Sequence, residues 1–500
     1  MSGLQSKAVK GVAVLGAGKG LGRVISFANT IILARILSPD DYGLMAMAMV
    51  VCGFIAFFNE IGLGSAIIQR KDITNQQLNG AFSISIIASL LLYAFTYFLA
   101  PKVGDFYNNP QIASMLIVLA ISFVIGAFST VSNALISKNM QFKALAGVEF
   151  ITILLQAILT LVLAILDYKA WALVYGFIIA QLIRAILVFV LAKWRPTKFG
   201  EFKEAISLIK FGLTITYSRL TWYAYSNAAT FIIGKFSGEK PLGIYSMAAT
   251  LAGLPTEHLT SLIQQVASPT FAKLQEDLQE LNTLLCGFTG GLAMITFPVL
   301  AGMAVTAPEL IPILLGEQWL AVVFPMQALA VMGLLNSISP LLNQALISTG
   351  KVKITAKYTT LCSIVVPLAV FVGVIWDGIN GVAVVLPIVY GLLLIVLLML
   401  CKKHIQLSLS RYFSVLITPI SGSIVMTLSV FVSNQLFAQY FNLIILFIVE
   451  VCIGVIVYLW WLIYIRQDGL GQLKNMLLEV GIGQEKLARW PFTKVGDKSL

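Results

Sequence analysis

Long apolar segments alternate with short polar ones along almost the whole chain. Uncharged runs at 81–100, 111–137, 318–350, 378–400 and 412–437 each reach the roughly 20 residues that a helix needs to cross a bilayer. With the Gly, Pro and charged residues that interrupt it, this pattern predicts fourteen helices. They are expected at 11–34, 43–68, 79–100, 112–137, 146–166, 170–192, 206–234, 243–268, 284–305, 318–348, 358–376, 379–400, 412–436 and 442–465. The sequence therefore predicts an all-α polytopic membrane protein.

Composition and charge agree with this class. Of the 500 residues 59% are apolar and only 11% are charged, whereas soluble domains carry about 25% charged residues. If the N-terminus is cytoplasmic, most of the 33 Lys and Arg residues fall on the cytoplasmic side, as the positive-inside rule requires. The formal charge of +11 is then a topology signal, and no nucleic-acid partner is expected. Both termini are predicted to be cytoplasmic, with the first helix retained because Lys19 and Arg23 interrupt any signal-peptide core.

An internal repeat divides the chain. Residues 31–49 align with 231–249 without a gap, and the ALIS of 134–137 recurs at 345–348. Helices 1–6 are therefore expected to be equivalent to helices 7–12, and an even number of crossings makes the repeat parallel. The repeat therefore predicts two six-helix lobes around a central cavity, followed along the chain by two further helices and a tail. The predicted domains are 1–195, 196–403, 404–465 and the cytoplasmic tail 466–500.

The glycine-rich segment 12–23 (VAVLGAGKGLGR) imitates a nucleotide-binding loop but does not match one. Ala13 and Gly20 stand where a phosphate loop needs Gly and Ser or Thr, and Leu21 replaces the last Gly of a dinucleotide fingerprint. Its small residues instead favour close helix contact or bending. The five cysteines show no metal or disulfide spacing. We expect no cofactor, no metal and no catalytic residue.

Basic residues inside predicted helices are the first candidates for a binding site. Lys19 and Arg23 stand one helical turn apart and share a face, and the repeat places Arg219 of helix 7 at the position of Lys19. Because a charge at mid-bilayer costs about 2.5–3.5 kcal/mol, these groups are expected to face a cavity and bind an anion such as phosphate. Arg184 in helix 6 is a further candidate. The alternatives are that Lys19 reaches the inner surface or pairs with Glu60, and that Arg184 reaches the inner headgroups.

Acidic residues inside helices are fewer. Glu60 lies deep in helix 2, and Glu257 and His258 lie deep in helix 8. Their carboxylates can bind a coupling cation or proton, or can be counter-ions to the buried bases, and the sequence does not separate these roles. His258 can titrate near neutral pH or be a hydrogen-bonded packing residue.

Aromatic residues surround Arg219 in helix 7, namely Tyr217, Trp222, Tyr223 and Tyr225. Trp222 and Tyr223 follow it within about one turn and offer rings that can stack on sugars. The alternative is an aromatic belt at the membrane interface.

These features together resemble a known family. The basic first helix, the segment ILARILSPDDYGLMAMAMVVCGFIAFFNEIGLGSAIIQRKD (32–72) and ALISKNMQFK (134–143) are similar to the polysaccharide transporters of the multidrug/oligosaccharidyl-lipid/polysaccharide exporter superfamily, the Wzx-type flippases. The resemblance implies a V-shaped pair of lobes that moves undecaprenyl-pyrophosphate-linked oligosaccharide from the inner to the outer leaflet without ATP. It also implies cationic cavity residues in helices 1 and 7, where Lys19, Arg23 and Arg219 stand.

Function is accordingly expected to be flipping in a bacterial inner membrane for O-antigen, capsule or exopolysaccharide assembly. The expected partners are an anionic lipid-linked oligosaccharide, membrane lipids, a coupling proton or sodium ion, and a polysaccharide polymerase with its glycosyltransferases. A multidrug cation antiporter of the same superfamily is an alternative, but it would need an acidic or apolar pocket. A membrane glycosyltransferase or polymerase is a further alternative, disfavoured by the short outer loops and few acids.

Overall fold

The computed structural model describes residues 3–59, 63–70, 72–200, 202 and 222–465, with side chains at all of these except 3–19, 59, 257 and 258. Every regular element in these ranges is helical, which confirms the all-α class. Ten helices of the described chain are long and apolar enough to cross a membrane. The count of fourteen crossings stays a prediction, because helix 7, expected at 206–234, lies largely outside the described residues.

Eight helices begin in the first part of the chain. They are α1 (Gly3–Ile36), α2 (Pro39–Asn59), α3 (Leu63–Gln69), α4 (Asn75–Tyr107), α5 (Pro110–Lys138), α6 (Phe142–Ile165), α7 (Ala170–Leu191) and α8 (Ala228–Ser237). Local sequence signals set several of these ends. Thr74 and Gln77 form a reciprocal capping box at the start of α4, and Asn108 ends α4 in the left-handed conformation.

Seven helices follow. They are α9 (Glu239–Lys273), α10 (Leu278–Val305), α11 (Ala307–Leu314), α12 (Val323–Ser348), α13 (Val352–Ile405), α14 (Leu409–Phe437) and α15 (Leu443–Trp460). A 3₁₀ turn (Glu317–Val322) precedes α12, and a π-helical turn (Trp461–Ile465) ends α15. The short helix α11 was not predicted from the sequence, because its eight residues include Pro308 and Pro312 and are too few to show a spanning pattern.

Lys169 and Gly378 share one turn conformation. Lys169, before α7, has φ 49° and ψ −134°. Gly378, which with Asp377 breaks α13, has φ 55° and ψ −133°. This break separates the predicted helices 358–376 and 379–400. Non-glycine residues rarely adopt such a conformation. It occurs two residues after Asp167 and one residue after Asp377, and the internal repeat stays a prediction.

The chain divides into two compact units, Met1–Gly243 and Ile244–Leu500. In the first unit, α8 packs on α2 and α4, and the linker after α7 is fastened to α4. The amide of Asn79 donates to Thr197 Oγ1 at 2.9 Å, and Gly200 N donates to Ser83 Oγ at 3.0 Å. The boundary between the two six-helix lobes, placed between residues 195 and 196 from the sequence repeat, stays a prediction.

The second unit has its main core between α9, α10, α12, the second part of α13 and the start of α14. On α13 the buried face includes Leu397 and Cys401, both without exposed area. The opposite face carries a stripe of exposed apolar side chains at helical spacing, Ile388, Leu392, Ile395 and Met399. An apolar stripe of this length on the outside indicates contact with lipid.

Two glycines that the predicted repeat aligns form a close helix contact inside the first unit. A Cβ on Gly43 of α2 would lie 1.9 Å from the carbonyl oxygen of Glu239, and a Cβ on Gly243 of α9 would lie 1.8 Å from that of Pro39. The contact is reciprocal: the start of α2 lies against the start of α9. Only glycine fits at these two positions.

Candidate functional site

Arg23 lies on the exposed side of α1, next to the contact that holds this helix in place. A Cβ on Gly22 would lie 2.6 Å from Cδ1 of Ile153, so α1 approaches α6 closely there. Arg23 follows about 100° round the helix and is exposed, as is Val24 with 67% of its area accessible. Within the described residues its guanidinium has no hydrogen-bond or ion-pair partner. Its exposed guanidinium is accessible to an external anion.

Arg184 has a partner inside the protein. Its Nη2 lies 3.9 Å from Oε1 of Glu149 in α6, and the two side chains are 29% and 36% exposed. At this distance the pair is loose, and its exposure allows water or a second anion to reach the guanidinium. Exposed pairs of this kind contribute about 0–1 kcal/mol to folding stability.

Tyr223 is anchored to α2, whereas Trp222 is exposed. The Tyr223 hydroxyl donates to the carbonyl of Val50 at 2.9 Å, and its ring packs on Phe57 with centroids 5.0 Å apart. Gly53 makes room for this hydroxyl, because a Cβ there would lie 2.3 Å from it. Trp222 exposes 54% of its area. Helical residues 222–226 thus present one fixed ring and one accessible ring.

Several predicted site residues lie outside the described part of the chain. These are Arg219 and Glu60, and the side chains of Lys19, Glu257 and His258. Their roles stay predictions. In the described part of the chain, no hydrogen bond or ion pair joins Arg23, Arg184 and the aromatic pair to one another.

Asp41 organises the start of α2. Its Oδ2 accepts hydrogen bonds from the backbone and hydroxyl of Ser38 at 2.9 and 2.7 Å, and its Oδ1 accepts one from Ala170 N at 2.9 Å. Asp41 and Ser38 therefore form a capping box at the start of α2, and the Asp41 carboxylate ties α2 to α7. Asp41 therefore fixes α7, which carries Arg184, relative to α2, on which Tyr223 packs.

The sequence analysis missed two acids of the second unit. Glu309 in α11 is 7% exposed and Glu450 in α15 is 1% exposed, and both accept a hydrogen bond from Asn434 of α14. The signal for Glu450 was present, because it stands alone in the apolar run 442–465 and an acid inside a membrane helix indicates function. Glu309 had no such signal, since it lies in a segment that was expected to be a loop.

Comparison with known proteins gives three likenesses. The chain is 25% identical over 425 residues to the lipopolysaccharide biosynthesis protein WzxC of Escherichia coli K12, with 85% of this chain and 82% of WzxC covered. It is 26% identical to the teichuronic acid biosynthesis protein TuaB of Bacillus subtilis 168, with 72% and 75% covered. Its fold is similar to that of the lipid II flippase MurJ in an inward closed conformation. The TM-score is 0.74 at 14% identity, with 92% of this chain and all of that one covered.

The family is shown by a direct match. The family model described as polysaccharide biosynthesis protein matches residues 32–324, more than half of the chain. This range contains the segments 32–72 and 134–143 on which the resemblance rested, and the resemblance is confirmed. The chain is a multi-pass membrane protein, and it belongs to the polysaccharide biosynthesis protein family, within the polysaccharide transporters of the exporter superfamily.

Proposed function

We propose that this protein flips an anionic lipid-linked oligosaccharide, carried on undecaprenyl pyrophosphate, from the cytoplasmic to the outer leaflet of a bacterial inner membrane. The family match and the similarity to WzxC over 85% of the chain support this role in surface-polysaccharide assembly. The observation that carries it is the exposed guanidinium of Arg23, without a partner in the described residues of a membrane protein. A charge kept there at a cost of about 2.5–3.5 kcal/mol serves an anionic substrate.

The pyrophosphate is the group that the basic residues bind. Arg23 binds it together with Lys19 and Arg219, and Arg184 assists as its loose pair with Glu149 opens. A guanidinium binds two phosphate oxygens in a fork, which holds the headgroup in one orientation.

Aromatic rings contact the saccharide. Trp222, with 54% of its area exposed, offers a free face for stacking. Tyr223 has its hydroxyl engaged with Val50, so its ring, rather than its hydroxyl, is the surface available to sugar. Contact through aromatic rings suits a protein that carries saccharides of varied composition, because ring stacking is less selective than hydrogen bonding.

Transport proceeds by alternating access of the two six-helix lobes, 1–195 and 196–403, with both termini in the cytoplasm. A proton or sodium gradient drives it, coupled through Glu60, Glu257 or His258, and the protein itself performs no catalysis. Glycosyltransferases supply the substrate and a polymerase consumes the flipped product, so both are expected to act beside it.

Flipping is tested with purified protein in vesicles that contain a fluorescent undecaprenyl-pyrophosphate-linked saccharide, with a membrane-impermeant quencher added outside. We expect protein-dependent loss of fluorescence from the inner-leaflet pool, accelerated by an imposed proton or sodium gradient and not by ATP. Empty vesicles are the control for spontaneous exchange. Uptake of a cationic drug without movement of the saccharide would instead favour the antiporter, and a longer saccharide product would reveal a transferase.

Arg184 and Glu149 allow a matched pair of substitutions. Arg184→Gln is expected to weaken substrate binding several-fold, because it removes a contact to phosphate. Glu149→Gln breaks the same ion pair but keeps the guanidinium, so transport should persist. Both variants should retain folding stability within about 1 kcal/mol, because the pair is exposed. The measurement is the dependence of flipping rate on substrate concentration, with thermal unfolding of each variant. Equal losses of transport in both variants would show that Arg184 acts through the ion pair alone.

A further inference from the structure

Three polar side chains meet in the interior of the second unit. Glu450 is the eighth residue of α15, Asn434 lies in the last turn of α14, and Glu309 lies in the first turn of α11. Asn434 Nδ2 donates to Oε1 of Glu309 and to Oε1 of Glu450, both at 2.7 Å. One amide nitrogen thus bridges two carboxyl groups from different helices.

The hydrogen bonds of this cluster are incomplete. Glu309 Oε2 and Glu450 Oε2 are both shielded from solvent and have no hydrogen-bond partner among the described residues. Glu450 is 1% exposed and Glu309 is 7% exposed. An ionised carboxylate accepts several hydrogen bonds, whereas each of these two carboxyl groups accepts a single one, from the Asn434 amide. Two full negative charges on the pair would therefore be poorly solvated and would repel each other.

No cation within the described residues compensates the pair. The elements packed on α11 and α15 are α10, α12, α14 and the 3₁₀ and π-helical turns. Their charged residues are Glu280, Glu317 and Arg411. Glu317 is exposed, and Glu280 and Arg411 lie at the opposite ends of α10 and α14, roughly 30 Å along those helices.

The other titratable side chains on these elements and on α15 are cysteines and tyrosines, which cannot carry a positive charge. They are Cys286, Tyr412, Cys452, Tyr458 and Tyr464. Tyr458 donates its hydroxyl to the carbonyl of Met294 at 2.8 Å, which leaves it engaged elsewhere. No positively charged side chain of the described residues balances the pair, so a bound cation such as a proton is the counter-charge available there.

We propose that Glu309 and Glu450 hold one exchangeable proton between them, with Asn434 as their shared donor. The proton adds to an unpartnered carboxyl oxygen, which converts one carboxylate to an acid and lowers the charge of the pair from two negative charges to one. The amide favours a proton over a metal ion, because Asn434 directs its donor nitrogen, and not its carbonyl oxygen, at both carboxyl groups. The site is formed by α11, α14 and α15, whereas the acids expected to couple transport belong to predicted helices 2 and 8.

Thermal unfolding of the purified full-length protein across mildly acidic to mildly basic pH tests this proposal. The folded wild type keeps a proton that the unfolded chain releases, so its stability falls as pH rises. Its unfolding midpoint should therefore drop by several degrees towards basic pH. Glu309→Gln and Glu450→Gln imitate the protonated acid, so each should flatten the profile and unfold at a higher temperature than the wild type at basic pH. Glu317→Gln changes an exposed acid on a neighbouring element and should leave the profile unaltered.

A second measurement uses the wild type alone. Its infrared spectrum should contain a protonated-carboxyl band that disappears on alkalisation with recovery on acidification. Absence of that band, or pH profiles of both Gln variants that parallel the wild type, would overturn the proposal. A higher unfolding temperature in sodium than in choline, seen in the wild type and lost in either Gln variant, would overturn the proposal in favour of a bound metal ion. None of these readouts involves flipping, so they stand apart from a failure of the proposed function.

Discussion

Leucine at Gly43 or at Gly243 is expected to remove nearly all folded protein from the membrane. Each added Cβ would meet a backbone carbonyl oxygen at 1.9 or 1.8 Å, whereas Cβ contacts shorter than 3.0 Å are essentially never seen. The obstacle is main chain and cannot rotate away, so the starts of α2 and α9 would have to separate by about 1 Å even for alanine. Overpacking of this kind costs about 1–3 kcal/mol for small additions and more for leucine.

The measurement is the yield of monodisperse protein in detergent and its unfolding temperature. Alanine should give an intermediate loss at both positions, because the contact is reciprocal. Gly126→Ala in α5 and Gly287→Ala in α10 are matched controls, since a Cβ at either position meets nothing within 4 Å. They should be neutral or stabilising by about 0.5–1 kcal/mol, as alanine is the better helix former. Wild-type yield and stability for Gly43→Leu would show that the two helices do not approach this closely in the membrane.

Much of the fold follows from the sequence because bilayer-spanning helices carry a strong signal. The predicted helices 112–137 and 170–192 agree within about two residues with α5 and α7. Ends were misplaced where polar residues continue a helix beyond the apolar run, as in α4, which extends to Tyr107 past Pro101 and Lys102. The predicted helix 43–68 is represented by α2 and α3, with 60–62 outside the described residues. Hydropathy does not show where a helix ends or breaks, because it measures the solvent preference of side chains and not backbone hydrogen bonding.

The candidate site was less accessible to sequence reasoning than the fold. The cost of a charge in lipid is enough to select Arg23 and Arg184, but it does not show that Glu149 lies 3.9 Å from Arg184. Tyr223 was selected for its ring, and only the packing of 222–226 on α2 shows that its hydroxyl is bound to Val50. Glu309 and Glu450 lie 141 positions apart by their numbering, and Asn434 connects them through tertiary structure alone. Pairings between distant segments are set by packing, which a single sequence does not display.

Arg23→Ala is expected to reduce flipping by about 10- to 100-fold at matched membrane abundance. The reason is the loss of charge-assisted hydrogen bonds to the pyrophosphate, which contribute about 1.5–3 kcal/mol. Abundance should be preserved, because Arg23 is exposed and has no partner in the described residues that its removal would leave unpaired. Arg23→Lys keeps the charge but not the planar fork, so its rate should lie between those of wild type and alanine. Val24→Ala, at the neighbouring exposed position, is the matched control and should flip normally. The rate of saccharide movement in vesicles decides the matter, since an Arg23→Ala protein that flipped as fast as wild type would show that its guanidinium does not hold the substrate.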